Sequence, residues 1–593
     1  MITAQSHWRF LSIILASASL AACATGPARE AGLKPRAEPA RAVANPDASL
    51  YGLFLAGQAA LDKGSSREAA DYLERASALA PDAGFLRERA FTAALVTGDI
   101  DRAAALAPGP DEGGPAAQRL GVLARAVSAL AEGRGKEAYA LLSAPVAAGA
   151  PHIAATELLK PWAAASAGDW TAATTAPGPG QDDKLIGVFG ALGRAQLLER
   201  NGKIADAETA YKALLPDRQG IFALSYGAFL ERRGRRPEAI ALYQRLLARN
   251  QDTALLQAKA RAEAGKPAPP LQSVREGAAQ ALIGPAAVLM ASRSGDMGLA
   301  YLRLALKLDP KLDEAWVLVG DAMGRAGDVT AARDSYRRVR PASSEYLVAR
   351  GRLAWSLYGE GDHDGALVLA KESVDANPGN AEALGVYADL LRESGRFPEA
   401  VAVLDRLLGQ PGATANWRLF YLRGVAQERS GHWDDAQTDL QKALKLNPES
   451  PETLNYLGFG WADRGQHLKQ ALEMLQKAVN LSPRSGAILD SLGWARYRNG
   501  DYRQAVRDLE RAVLLEPSDP DINDHLGDAY WRIGRKLEAE FQWRRVLTLD
   551  PSDEIRTHVD VKLKDGLEAA PPIKPVPAPG GVTAQAPPAG EHG

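Results

Sequence analysis

The sequence predicts an all-α chain, a solenoid of stacked helix-turn-helix units, and three observations carry that reading. A pattern of small residues closed by proline returns about every 34 residues along most of the 593-residue chain. Alanine and leucine are abundant while β-branched runs are scarce, a balance that favours helix over strand. Past the first segment there is no run of 18 apolar residues, so the body carries no membrane-spanning stretch. The 70 Lys and Arg against 72 Asp and Glu leave a formal net charge of -2, which supplies no broad cationic surface and argues against nucleic acid as a partner.

Residues 1–22 have the layout of a secretory signal. Arg9 precedes the apolar stretch "FLSIILASASL", Phe10 to Leu20, and small residues follow; the stretch is too short for a membrane span. It ends in "LAAC", Leu20 to Cys23, and Cys23 is the one cysteine of the sequence. The tetrapeptide resembles the lipobox of bacterial lipoproteins, which implies that the signal is removed before Cys23 and that its thiol carries lipid; an incidental thiol is the alternative. More than one lipid chain gives a stable anchor, whereas a single one binds only marginally. Ala24 after the cysteine, in place of Asp, resembles the sorting pattern that implies the outer membrane, with the body in the periplasm. Residues 23–47, rich in Ala, Pro and charge without a helical apolar period, are expected to be a flexible tether.

The repeat is clearest over 291–556. "LGWARYRNGDYRQAVRDLERAVLLEP", Leu492 to Pro517, returns 34 residues later as "LGDAYWRIGRKLEAEFQWRRVLTLDP", Leu526 to Pro551. The small residue that opens each second helix falls at Gly298, Ala332, Ala366, Ala400, Ala436, Ala471, Ala505 and Ala539, spaced 34, 34, 34, 36, 35, 34 and 34. A second small residue precedes it by 12 or 13 positions, as at Gly320, Gly424, Gly458, Gly493 and Gly527, and proline often follows it by 12, as at Pro448, Pro483 and Pro517. Small residues let two antiparallel helices approach, the glycine between them (Gly327, Gly395, Gly431, Gly500, Gly534) ends the first, and proline ends the second. The pattern resembles the tetratricopeptide repeat, which implies a right-handed superhelix whose units bury their apolar faces only by stacking on neighbours.

The same marks recur more faintly over 48–250, at Ala69, Ala103, Ala138, Ala173, Ala207 and Ala239. The period fails over 251–290, where "AGKPAPP" lies, so that stretch is expected to be an irregular helical joint between two superhelical segments; one continuous solenoid with a loop insertion is the alternative. The extension 557–593 ends in a Pro- and Ala-rich tail expected to be disordered, with a proline-rich ligand for another domain as the other reading.

No catalytic residue, metal site or cofactor is expected. The eight histidines are scattered without ligand spacing, and no GxSxG, phosphate-binding loop or dinucleotide fingerprint occurs. Binding remains. By analogy with the repeat family, the residues of the first helices face the inner surface of the superhelix, and in the carboxy-terminal units these include Arg429, Asn455, Tyr456, Phe459, Asp490, Trp494, Tyr497, Arg498, Asp524, His525, Asp528, Trp531 and Arg532. Aromatic rings beside Arg, Asp and Asn suit a groove for an extended or helical segment, since flat rings supply area and polar groups fix register. Each ring has another available fate, packing between adjacent units. A lipobox, a tether and many repeats together resemble outer-membrane tetratricopeptide lipoproteins of Gram-negative bacteria, among them adaptors of periplasmic carboxyl-terminal processing proteases. That resemblance implies a non-enzymatic scaffold that binds periplasmic or outer-membrane proteins and is held to the membrane by its lipid. A structural subunit of an envelope assembly or export machine is the alternative, and an enzyme would need a site the sequence does not display.

Overall fold

Small residues decide how each hairpin closes. In the computed structural model, which describes residues 49–109, 112–147, 149–176, 184–215, 221–248, 253–291 and 295–570, those residues form thirty α-helices and no strand. In the hairpin of Gly486–Arg498 and Tyr502–Leu515, a Cβ placed on Gly493 would fall 2.6 Å from Leu509 Cγ. In the next, Pro520–Arg532 and Lys536–Val546, a Cβ on Gly527 would fall 2.5 Å from Trp543 Nε1. Leu509 and Trp543 each lie one helical turn after the marker alanine, so the small residue of the first helix is a socket for the second. The markers are themselves core. Ala69, Ala103, Ala138, Ala173, Ala207 and Ala239 in the amino-terminal half, and Ala332, Ala366, Ala400, Ala436, Ala471, Ala505 and Ala539 beyond it, are no more than 2% exposed.

Local chemistry sets the helix ends. Ser485 and Asp519 side chains accept from the backbone N–H groups of Ile488 and Ile522, capping two first helices. Gly500, just past Arg498, takes φ 84, the left-handed conformation that closes a helix and that glycine adopts without strain. The extra residue between Ala436 and Ala471 is absorbed in the turn before Leu468, where Gly465 and His467 have φ 66 and 46. The two extra residues between Ala400 and Ala436 accompany a 3-10 turn at Ala413–Ala415.

The chain divides into two compact units, the division falling between Ala349 and Arg350 inside the helix Tyr346–Gly359. The stretch 251–290 instead holds the helices Thr253–Glu263 and Val274–Met290, the second opened by a capping box of Ser273 and Glu276.

In the first unit, the helices Val274–Met290 and Gly295–Leu308 return to earlier repeats. Helix Val274–Met290 packs on Ile153–Ser166 and Lys184–Arg200, with Gly277 set directly against the indole of the buried Trp162. Helix Gly295–Leu308, which carries the marker Gly298, packs on Gly84–Thr97 and Pro115–Ala131 and buries ten of its 14 residues. The second helix of an outward-facing hairpin would bury about half. Its polar residues find specific partners: Tyr301 Oη lies 2.5 Å from His152 Nδ1, and Arg303 Nε donates to Val96 O at 2.9 Å.

In the second unit, first helices of successive hairpins stack on one another, Pro451–Asp463 on Gly486–Arg498 and that on Pro520–Arg532. Leu440, Leu457, Phe459, Leu475, Leu489 and Leu492 form one continuous apolar cluster there. The last hairpin is covered by the helix Asp553–Asp565 and a 3-10 turn at Leu567–Ala569. That helix spans the expected boundary at 556, so the extension begins as part of the folded body. The signal, Cys23, the tether and the tail from 571 onward lie outside the described residues. No helix among the described residues is long and apolar enough to cross a membrane.

Candidate partner-binding face

Two neighbouring first helices, Gly486–Arg498 and Pro520–Arg532, bring most of the expected groove residues together. Trp494 is half-buried and stacks on Tyr497 with ring centres 4.8 Å apart and planes 8° apart; its other neighbour is the His525 ring at 4.2 Å. The three rings stack on one another across two repeats, Trp494 and Tyr497 keeping solvent-facing surface while His525 is buried. The Trp494 Nε1 donates to Asp463 Oδ1 at 3.2 Å, and Arg498 lies 3.5 Å from the same oxygen. Arg532 Nε donates to Tyr497 Oη at 3.1 Å. Arg498 and Arg532 are both exposed, so the stacked rings are flanked by cations on a solvent-facing edge.

Beneath those rings is a buried ionic layer. Asp490 is fully buried, and His525 Nδ1 lies 2.9 Å from its Oδ1. Burial alone would depress the imidazole, but the carboxylates of Asp490, Asp521 and Asp524 outweigh it and raise His525 to about 9. Burial raises Asp521 to about 6 despite the nearby His525. Lys562, from the covering helix, donates to Asp524 Oδ1 at 2.8 Å and lies 2.7 Å from Asp528 Oδ1, which also accepts from Trp543 Nε1 at 3.0 Å.

The geometry therefore divides the thirteen expected groove residues. Arg429, Trp494, Tyr497, Arg498, Trp531 and Arg532 keep solvent-facing surface. Phe459 and Tyr456 do not: both lie in the apolar cluster between hairpins, and Tyr456 Oη donates to Glu428 Oε2 at 3.1 Å. Their place is the stack and not a groove, because the first helix is wedged between its own partner helix and the next first helix, which leaves only a narrow free row. Asn455 is buried beside them, its Oδ1 without a hydrogen-bond partner, and Arg429 stands apart over the Phe397 ring at 5.0 Å.

Asp524, Asp528, Trp531 and Arg532 are engaged by the chain itself. Besides Lys562, Glu568 accepts from Trp531 Nε1 at 3.0 Å and pairs with Arg532 at 3.2 Å, and Gly566 lies against the Trp531 ring. Sequence reasoning missed Lys562 and Glu568, which belong to a strongly polar segment, "DEIRTHVDVKLKDGLEA", Asp553 to Ala569. The open part of the face is Trp494, Tyr497 and Arg498 with the outer edge of Arg532.

A tetratricopeptide repeat model matches residues 192–254 and 491–554, and two further models of the same description match 357–420 and 417–450. Among curated proteins, a cytochrome c-type biogenesis protein, CycH, of Rhizobium meliloti (strain 1021) is 31% identical over 116 residues, 19% of this chain; the match spans 30% of that protein's length. Similar solved structures include a tetratricopeptide repeat protein from Parabacteroides merdae, 17% identical over 42% of this chain and 97% of its own, TM-score 0.36. The Cut9–Hcn1 hetero-tetramer of the APC/C is 16% identical over 87% of this chain and 96% of its own, TM-score 0.37. Stacked helical hairpins with small-residue sockets and a polar-aromatic face define a repeat scaffold of the protein-binding class. The chain is a tetratricopeptide-repeat protein, and repeats of this kind mark a protein–protein interaction scaffold.

Proposed function

We propose that this scaffold is a non-enzymatic adaptor, held by lipid on Cys23 at the periplasmic side of a bacterial outer membrane, which captures a segment of a partner protein and brings it to a periplasmic protease or cell-wall enzyme. The observation that supports capture is the Trp494–Tyr497 stack, parallel rings 4.8 Å apart, half-buried and edged by the exposed Arg498 and Arg532. Such a surface offers contact area at low entropic cost and cations to align an acidic or carboxylate-ended segment. Anchoring rests on the sequence "LAAC" after an apolar stretch.

The likeness over 116 residues to a cytochrome c-type biogenesis protein favours a second reading, a subunit of an envelope assembly machine. Capture from crosslinked envelopes, with wild-type protein and with Trp494→Ala/Arg532→Glu, separates the two. A protease with its substrates, lost in the variant, supports the adaptor. An assembly complex retained by both proteins supports the second reading and places the contact away from this face.

A further inference from the structure

A second candidate site lies in the first unit and does not depend on the Trp494 face. A half-open cavity of about 700 Å³ is bounded by the start of helix Ser66–Leu79, the end of Gly84–Thr97 and the helices Gly295–Leu308, Asp313–Arg325 and Val329–Arg337. Its wall carries the apolar surface of Leu306, Pro310 and Trp316, and its cations include Arg67, Arg303 and Arg338.

The three arginines are unusual in what they lack. Among the described residues, no carboxylate lies within ion-pair distance of Arg67, Arg303 or Arg338. Arg303 is 8% exposed, and its one hydrogen bond is from Nε to Val96 O at 2.9 Å. Asp328, on the same wall, is held by other groups: its Oδ1 accepts from Ala331 N at 2.9 Å, and Oδ2 accepts from Ser66 N at 3.0 Å and Ser66 Oγ at 2.5 Å. Asp334 faces Arg337 at 3.4 Å, and Lys307 is paired with Asp101 at 2.5 Å. Arg338, exposed at the mouth, lies over the Trp316 ring at 4.7 Å, and the Trp316 Nε1 is held by Pro310 O at 2.9 Å.

A guanidinium removed from water normally meets a carboxylate or a phosphate, because its charge is costly to bury alone. Arg303 has lost most of its water without gaining such a partner, and it faces a space large enough for one. Burial, and then the like charge of Arg338, pull Arg303 down to about 10; Asp328 pulls the other way and Arg67 adds a smaller lowering, so Arg303 stays a cation at neutral pH. The wall carries four cations, Arg67, Arg303, Lys307 and Arg338, against three carboxylates, Glu68, Asp328 and Asp334, and in this partly dry setting Arg303 offers a planar fork suited to two acceptor oxygens.

We propose that this cavity binds an oxyanion, carboxylate or phosphate, with Arg303 as the anchor at its floor and Arg67 and Arg338 closing over the ligand from the mouth. The oxyanion comes either from a free small acid or from an acidic segment of a partner protein. The apolar wall of Trp316, Leu306 and Pro310 receives the carbon skeleton that carries it.

The test is calorimetric titration of the full chain at low salt with three probes: inorganic phosphate, glutarate and tetraglutamate. Saturable binding is expected, weakened about tenfold or more by Arg303→Gln and a few-fold by the exposed-site variants Arg338→Ala and Arg67→Ala. Arg303→Lys keeps the charge without the fork and should fall between wild type and Arg303→Gln. Binding of glutarate or phosphate assigns a free anion; binding of tetraglutamate alone assigns an acidic segment. Two results overturn the proposal: no saturable binding of any probe, or binding undiminished in the Arg338 and Arg67 variants. The two surface variants keep the test decisive if the Arg303 variants fail to fold.

Discussion

The ammonium of Lys562 lies 2.7 Å from the Asp528 carboxylate, and the lysine is 1% exposed. A chain whose repeats end in a polar segment has thereby turned that segment into part of its core. Lys562 answers two buried acids, Asp524 and Asp528, which sit where the first helix of a further repeat would otherwise stack.

Lys562→Met should therefore destabilise the second unit by about 3–5 kcal/mol, since it strands two carboxylates away from water. Adding Asp524→Asn and Asp528→Asn should recover part of the loss, because neutral amides tolerate burial better than unpaired charges. Urea denaturation of the three proteins measures both steps. A midpoint unmoved by Lys562→Met would show that water reaches the acids.

The second unit should lose stability as pH rises from about 6 to 9. His525 is raised from its ordinary 6.5 to about 9 by surrounding carboxylates that outweigh burial, so its contribution is fully present below 6.5 and disappears as pH passes through 9. Asp521, raised by burial to about 6, acts in the same direction at lower pH, since its folded form holds a proton that the unfolded chain releases nearer 4. Melting followed by circular dichroism from pH 5 to pH 9 should show the decline, and His525→Gln should flatten its upper part. A slope identical in the variant would mean that His525 is neutral in the fold.

Gly493→Ala should lower the melting temperature of the second unit even though alanine favours helix, because the added methyl would sit 2.6 Å from Leu509 Cγ. Overpacking of this kind costs about 1–3 kcal/mol. Leu509→Ala relieves the clash but opens a cavity, so the double variant should be more stable than the sum of the two single losses predicts. Strict additivity in the denaturation energies would show that the two residues do not meet.

The repeat register was legible because it is written in residues whose size is the constraint: Ala471, Ala505 and Ala539 are buried since nothing larger fits between the two helices. The covering helix was not legible, because "DEIRTHVDVKLKD" reads as solvated and only a buried acid pair elsewhere explains its lysine. Nor was the return of helix Gly295–Leu308 onto the amino-terminal repeats. A 34-residue period specifies contacts inside a hairpin and with its neighbour, whereas that docking depends on surfaces about 150 to 200 residues away, joined by His152 with Tyr301 and Val96 with Arg303. Among the groove residues, aromatic identity alone did not separate Phe459, locked in the stack, from Trp494 on its surface; the separation is set by which row of the first helix the next repeat covers.

That separation gives the last prediction, in which three tryptophans behave differently. Trp543 is fully buried and its Nε1 is bonded to Asp528, so Trp543→Ala should cost about 3–5 kcal/mol and disable binding only by unfolding the last hairpin. Trp531 is half-buried, lies against Gly566 and donates to Glu568, so Trp531→Ala should leave most of the unit folded while releasing the turn at Leu567–Ala569. Hydrogen exchange in that turn should accelerate. Trp494 meets the solvent beside Tyr497 and Arg498, so Trp494→Ala should change melting least of the three and reduce partner capture most. Sign reversal at Arg498 should weaken capture of an acidic segment, with a smaller effect at high salt. Melts, exchange and capture run together on the three variants decide the matter. If Trp494→Ala captures partner as wild type does while Trp531→Ala does not, the binding surface is the carboxy-terminal turn and not the stacked face.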